Sequence, residues 1–319
     1  MKRVAFVLAL VAFVGGLSIR AEAAIVVQCG TAIPDQPTDT VFKLKHNLTC
    51  QPAFDPAISL GDHVILDLGG HTLQGSGTGD GVKANAKDHS TVRNGTIKNF
   101  VAGVVFSNGN ADTASRLTLA NGSSDVDFNG TSKGVVSRST MSGSGFACVS
   151  VVAADGTTIQ SNRMTCNANA VNLSSSPTET LVQKNRISAT AIGINVNTTG
   201  LANTRIVSNV IRGGSRGIDV LANAVNTSII GNNVAGASLD GIRVLSGALT
   251  TAIGSNVTDS NTHDGILVQS SDAGTSVGGN TANNNGNYGI EATAGTDDAG
   301  GDRAKGNEQF LQCIFVLCT

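Results

Sequence analysis

From residue 191 onward a Gly-Ile-x-Val pattern returns at a fixed interval. Gly193, Gly217, Gly241, Gly265 and Gly289 are each 24 residues apart, and Ile194, Ile218, Ile242, Ile266 and Ile290 follow in step. Two positions further on come Val196, Val220, Val244, Val268 and Ala292. Apolar and polar residues alternate within each unit, which is the signature of a short strand with one buried face. The same apolar column runs back through Val171, Cys148, Val126, Val104 and Val82 at spacings of 22 or 23 residues. The pattern predicts ten stacked coils over residues 81–307, with Val64–Leu73 as an eleventh.

A polar column repeats in phase with the apolar one. Asn162, Asn185, Asn209, Asn232, Asn256 and Asn280 recur every 23 or 24 residues. A buried turn leaves backbone groups in need of partners, and an amide can bond its own turn and the next amide above it. The column therefore predicts an asparagine ladder inside a β-solenoid whose coils stack at about 4.8 Å. A helical repeat is excluded by the glycine and asparagine density, which would cost ~0.5–1 kcal/mol per glycine in helices. A β-propeller is excluded because each repeat is too short for a four-stranded blade.

The N-terminus reads differently. Lys2 and Arg3 precede an apolar run from Val4 to Leu17, and Ala21-Glu22-Ala23 offers a small-x-small cleavage site. Residues 1–23 are thus expected to be a signal peptide, since the run falls short of the ~20 residues a membrane span needs. The expected organisation is a leader at 1–23, an N-terminal cap at 24–57, the β-helix at 58–307 and a C-terminal cap at 308–319. Export suits the six cysteines, whose simplest pairing is Cys29–Cys50, Cys148–Cys166 and Cys313–Cys318. For the middle pair a free thiol is the alternative, because Cys148 falls in the apolar column, where it would serve as a small hydrophobe. A net charge of −2 argues against a nucleic-acid partner. At 3% aromatic residues, a ring-lined sugar groove is disfavoured as well.

Together with Leu66-Asp67-Leu68-Gly69-Gly70-His71-Thr72-Leu73, the Gly-Ile-x-Val and Ile-x-x-Asn repeats make the chain resemble a known group. It is similar to the secreted bacterial right-handed parallel β-helix proteins of the pectate-lyase-like superfamily. That resemblance implies an all-β solenoid with ligands along the outer face of one strand stack. The outward column there reads Lys83, Val105, Asp127, Val149, Asn172, Asn195, Asp219, Arg243, Leu267 and Glu291. A second column reads Arg216, Asp240, Asp264 and Tyr288, and beside it run Ser215, Leu239, His263 and Asn287. Charged and titratable groups thus gather within the last few coils.

Two classes of function fit this pattern. One is a lyase or uronate C5-epimerase acting on an acidic polysaccharide, which must remove a proton next to a carboxylate. Arg243 would neutralise that carboxylate, with His263 and Tyr288 as base and acid, and Arg216, Asp219, Asp240, Asp264 and Glu291 would bind substrate. The resemblance implies a His, Tyr and cationic set in related epimerases, although their Asp-Pro-His-Glu signature is replaced by Asn261-Thr262-His263-Asp264. The other class is a non-catalytic surface or adhesion protein, favoured by coils without long loops. A glycoside hydrolase using Asp240 and Asp264 ranks third, on their one-coil spacing. No cofactor is required. Ca²⁺ would suit the carboxylates, but two alone make a weak site. The expected partner is an acidic polysaccharide or cell-envelope glycan, met by a monomer that is secreted or periplasmic and lacks a membrane span after leader cleavage.

Overall fold

The computed structural model describes residues 25–197, 200–201, 203–269 and 274–319, so the leader assigned to residues 1–23 lies outside the described residues. Each repeat folds as one coil of three short strands, and the coils stack in parallel into three walls. The first wall is a 13-stranded parallel sheet containing the Gly-Ile-x-Val segments. Ile194, Ile218, Ile242, Ile266 and Ile290 lie in direct register across it. All five are fully buried. The second wall holds the strands before the asparagine turn, such as Arg205–Val207 and Ser228–Ile230. The third holds those after it, such as Arg186–Ala189 and Val210–Arg212. No helix among the described residues is long and apolar enough to cross a membrane.

The repeated glycine has a local cause. A Cβ placed on Gly241 would stand 2.6 Å from the carbonyl oxygen of Gly265 and 2.7 Å from Asn261 Nδ2. The coil above leaves no room for a side chain, which explains glycine at a position where φ is unexceptional. The asparagine ladder forms as expected. Asn232 donates its backbone N–H and Nδ2 to Asn256 Oδ1 at 2.9 and 3.0 Å. Asn256 does the same to Asn280 Oδ1. The column ends on Asp302, whose Oδ1 accepts both bonds from Asn280.

Several expectations are revised. The solenoid has about twelve turns rather than ten or eleven. Thr31–Ala32, Thr40–Lys43 and Leu48–Thr49 pair onto the next coil, and Cys313–Ile314 pairs onto Ile290–Glu291. These rungs escaped the count because they lack the Gly-Ile-x-Val signature. Cys148 is not in the apolar column either. Val126 pairs with Val149 and Val149 with Val171, so Cys148 takes the place that glycine holds elsewhere, and Ser150 replaces Val149 in the outward column. The longer coil lies before Val149, where the sequence spacing had placed it after. Cys148 is bonded to Cys166, and the Cys29–Cys50 and Cys313–Cys318 pairs are bonded too.

A second ladder had gone unread. Asn261, Asn285 and Asn307 form a buried column that closes on Gln312. Its signal was present in the sequence, five residues after the last members of the first column. Three members are simply too few to stand out as a period.

Candidate functional site

The corner where each coil enters the first wall brings the polar columns together. His263 donates its backbone N–H to Leu239 O, Leu239 to Ser215 O, and Asn287 to His263 O. The next residues, Arg216, Asp240, Asp264 and Tyr288, therefore stack as well. Asp240 and Asp264 are buried at this corner, whereas His263 beside them is half-exposed.

Asp240 is 3% exposed and bridges His263 and Arg216. Its Oδ1 lies 2.7 Å from His263 Nδ1 and its Oδ2 3.2 Å from Arg216 Nε. Asp264 is fully buried; its Oδ1 accepts bonds from Asn287 Nδ2 and from the Tyr288 backbone N–H. Its Oδ2 stands 2.9 Å from His263 Nδ1 but out of line for a hydrogen bond. Burial pushes the Asp264 carboxyl up to about 6, aided by the charges of Glu291 and Asp240 and opposed by the Tyr288 N–H and His263. Burial works against the charged form of His263. The hydrogen bond to Asp240 and the charges of Asp264, Asp240 and Glu291 outweigh it, so the histidine titrates above its ordinary value. The ring is half-exposed, hydrogen-bonded at Nδ1 to Asp240 and set beside the Asp264 carboxylate of the next coil.

The other expected residues divide. Arg243 clamps Asp219 with Nε and Nη2 at 2.7 and 2.8 Å, one coil apart on the first wall. Much of its charge is thereby spent on a buried aspartate. Glu291 reaches the histidine through its charge. Tyr288 joins through its backbone N–H rather than its phenol. Asp240 and Asp264 lie beneath His263, too buried to touch a glycosidic bond, which removes the support for a hydrolase pair. His63 lies apart from this corner, paired with Asp39 at 2.9 Å and stacked on His89.

Residues 67–204 match the family described as periplasmic copper-binding protein (NosD). Among solved structures, the A-module of a mannuronan C-5 epimerase from Azotobacter vinelandii is similar, with a TM-score of 0.63 and 16% identity over 91% of each chain. An alginate lyase from Paenibacillus gives 0.57 and 15%, covering 71% of this chain and 94% of its own. The fold is that of the parallel β-helix proteins. A periplasmic alginate epimerase, in a double-mutant form, matches at 0.57 and 9%, covering 89% of this chain and 78% of its own. No curated protein sequence matches the β-helix.

Among the described residues, the segment that carries the family match gathers no copper-ligand set: its His71 and His89 join no group of three or more His, Cys, Asp and Glu side chains. Cys148 and Cys166 are consumed in a disulfide, and Met141 and Met164 are buried in the core. Among the described residues, the group of His, Cys, Asp and Glu side chains able to converge on one ion is Asp240, His263 and Asp264, with donor atoms within 4.8 Å of one another. That group lies outside the match. Asp240 is taken up by His263 and Arg216, while Asp264 Oδ2 is left without a hydrogen-bond partner.

Proposed function

We propose that this protein is an exported β-helix, periplasmic or extracellular, that engages an acidic polysaccharide at the corner spanning residues 216–291. The chemistry it suits best is proton removal next to a uronate carboxylate. His263 carries the reading: a half-exposed imidazole is hydrogen-bonded at Nδ1 to the buried Asp240, with Asp264 beside it, so its other nitrogen is free of that bond and available to a ligand. In this scheme Nε2 takes the C5 proton, and the electron pair spreads into the sugar carboxylate. Protonation of the opposite face by water gives the epimer, whereas breaking of the C4–O4 bond, with the abstracted proton passing to O4, gives the unsaturated lyase product. The similarity to an alginate lyase and to alginate epimerases supports this choice of substrate class.

Turnover of uronate polymers tests it, read as absorbance of unsaturated product or as proton exchange at C5. His263→Ala is expected to lower kcat/KM by about 10²–10⁴-fold. Alanine also strips two buried carboxylates of their histidine, so the melting temperature should fall, and turnover is compared for a variant that circular dichroism shows to be folded. Equal turnover by parent and variant would sink the assignment. A second reading, a non-catalytic glycan-binding wall, is favoured by the Arg243–Asp219 clamp, which leaves less cationic charge for a substrate carboxylate. In that case neither product forms, and the protein still retains polyuronates.

A further inference from the structure

We propose that the third wall carries a second binding surface, a groove for a chain of carboxylate-bearing sugars held by Arg163, Arg186 and Arg212. The groove encloses about 230 Å³ and is lined by these arginines with Thr165, Ser188 and Val210. Arg163 and Arg186 are direct partners on adjacent strands, and so are Val210 and Arg186; Arg212 lies opposite Ser188. All three arginines are exposed.

The placement is electrostatically unfavourable for the protein alone. Like charges directly opposite each other on neighbouring strands destabilise a sheet. Arg93, Arg216 and Arg243 each have an aspartate within ion-pair distance, but among the described residues none of the groove arginines does. Arg212 is held in place by neutral acceptors instead, the Ile211 and Asn233 carbonyls and Asn233 Oδ1. The surrounding stretch, residues 131–212, contains seven Lys and Arg residues against two carboxylates, in a chain whose net charge is −2. The positive charge is therefore concentrated rather than average.

The lining selects among anions. A guanidinium fork matches a carboxylate in two parallel hydrogen bonds, and Arg is favoured wherever planar recognition matters. The Thr165 and Ser188 hydroxyls run beside the guanidinium file, two residues further along each strand, where sugar hydroxyls need partners. Stacking on bases, which single-stranded nucleic acid binders use, has nothing to stand on here. No aromatic residue occurs between Phe146 and Tyr288. The coil spacing of about 4.8 Å presents charges along the solenoid axis at intervals an extended polymer can follow.

This surface lies around the corner from His263 and does not depend on any chemistry there. The test is binding without turnover: affinity electrophoresis or calorimetry of the full chain with polygalacturonate, alginate, an uncharged glucan and a single-stranded oligonucleotide. The parent should bind the two polyuronates, more weakly as salt rises, and should ignore the glucan. Combining Arg163→Gln, Arg186→Gln and Arg212→Gln should weaken polyuronate binding about ten-fold or more, and the corresponding three lysine substitutions should keep part of it. If the triple glutamine variant fails to fold by circular dichroism, Arg186→Gln alone should still weaken binding about three-fold. Parent-like binding by a folded glutamine variant overturns the proposal, and so does equal or tighter binding of the oligonucleotide or the glucan. A protein that binds polyuronates through these arginines yet never turns them over keeps this surface and loses the activity proposed above.

Discussion

Thermal stability is expected to fall as the pH is raised from about 5 to about 8, because buried aspartates in the early coils must give up protons. Asp112 and Asp125 are fully buried, and each has a carboxylate oxygen without a hydrogen-bond partner. Burial pushes both up to about 7, with Asp88 and Asp62 adding to the effect at Asp112. Asp127 is pushed up to about 6, again by burial, with a contribution from Asp80. Each group thus holds its proton in the native state at a pH where the unfolded chain has released it. The stabilising contribution is complete below the ordinary carboxylate value near 3.8 and is lost as the pH rises through about 6 to 7.

A shift of this size corresponds to at most about 4 kcal/mol per group, at 1.36 kcal/mol for each pKa unit. Water reaching the ionised carboxylates will reduce that figure. His263 acts in the same direction: its charged form stabilises at low pH, and that contribution fades as the pH climbs through its raised pKa. Asp67, whose pKa is lowered, loses its contribution only as the pH falls below the ordinary range, so it does not oppose the trend. Melting curves between pH 5 and 8 measure the slope. Asp112→Asn and Asp125→Asn should each flatten it, since a neutral amide has no proton to lose. A melting temperature that rises over this range would contradict the assignment.

Asn256→Ala should destabilise the solenoid by about 3–5 kcal/mol, far more than a truncation at an exposed asparagine such as Asn284. The side chain of Asn256 makes four bonds. Nδ2 donates to Ile229 O at 2.8 Å and to Asn280 Oδ1 at 3.0 Å, and Oδ1 accepts from Asn232 N and Nδ2. Alanine would leave the Asn232 backbone N–H buried without a partner, at about 1–3 kcal/mol, and would take one further bond each from Ile229 O, Asn232 Nδ2 and Asn280 Oδ1. Because every coil leans on its neighbours, the loss is shared across the stack rather than confined to one turn. Urea denaturation of parent, Asn256→Ala and Asn284→Ala gives the comparison. A cost below about 1 kcal/mol at Asn256 would mean that water replaces the ladder bonds.

The isoleucine register, the wall it builds and the main asparagine ladder were all legible before any coordinates, since each is a period along the chain. The Cys148 position was misread by one residue, because coils of 22 and 23 residues cannot be ordered by spacing alone. Pairing decided it, by setting Val149 against Val126 and Val171. At the site, the columns containing Asp240, His263, Asp264 and Tyr288 were readable from the 24-residue step. Their roles were not. Whether Arg243 faces a ligand or folds onto Asp219, and whether two carboxylates lie under one imidazole or repel each other in the open, depends on side-chain reach across a corner.

The basic groove was hidden for the same reason. Arg163 and Arg186 follow the asparagine column directly, and Arg212 belongs to a different column that meets them only across the strands. Sequence order by itself determined the solenoid, because an apolar residue that returns at each turn can be buried only by stacking on its own repeats. Tertiary structure alone decided which polar groups neutralise one another and which are left for a ligand, because that depends on distances of a few ångströms between side chains from different coils.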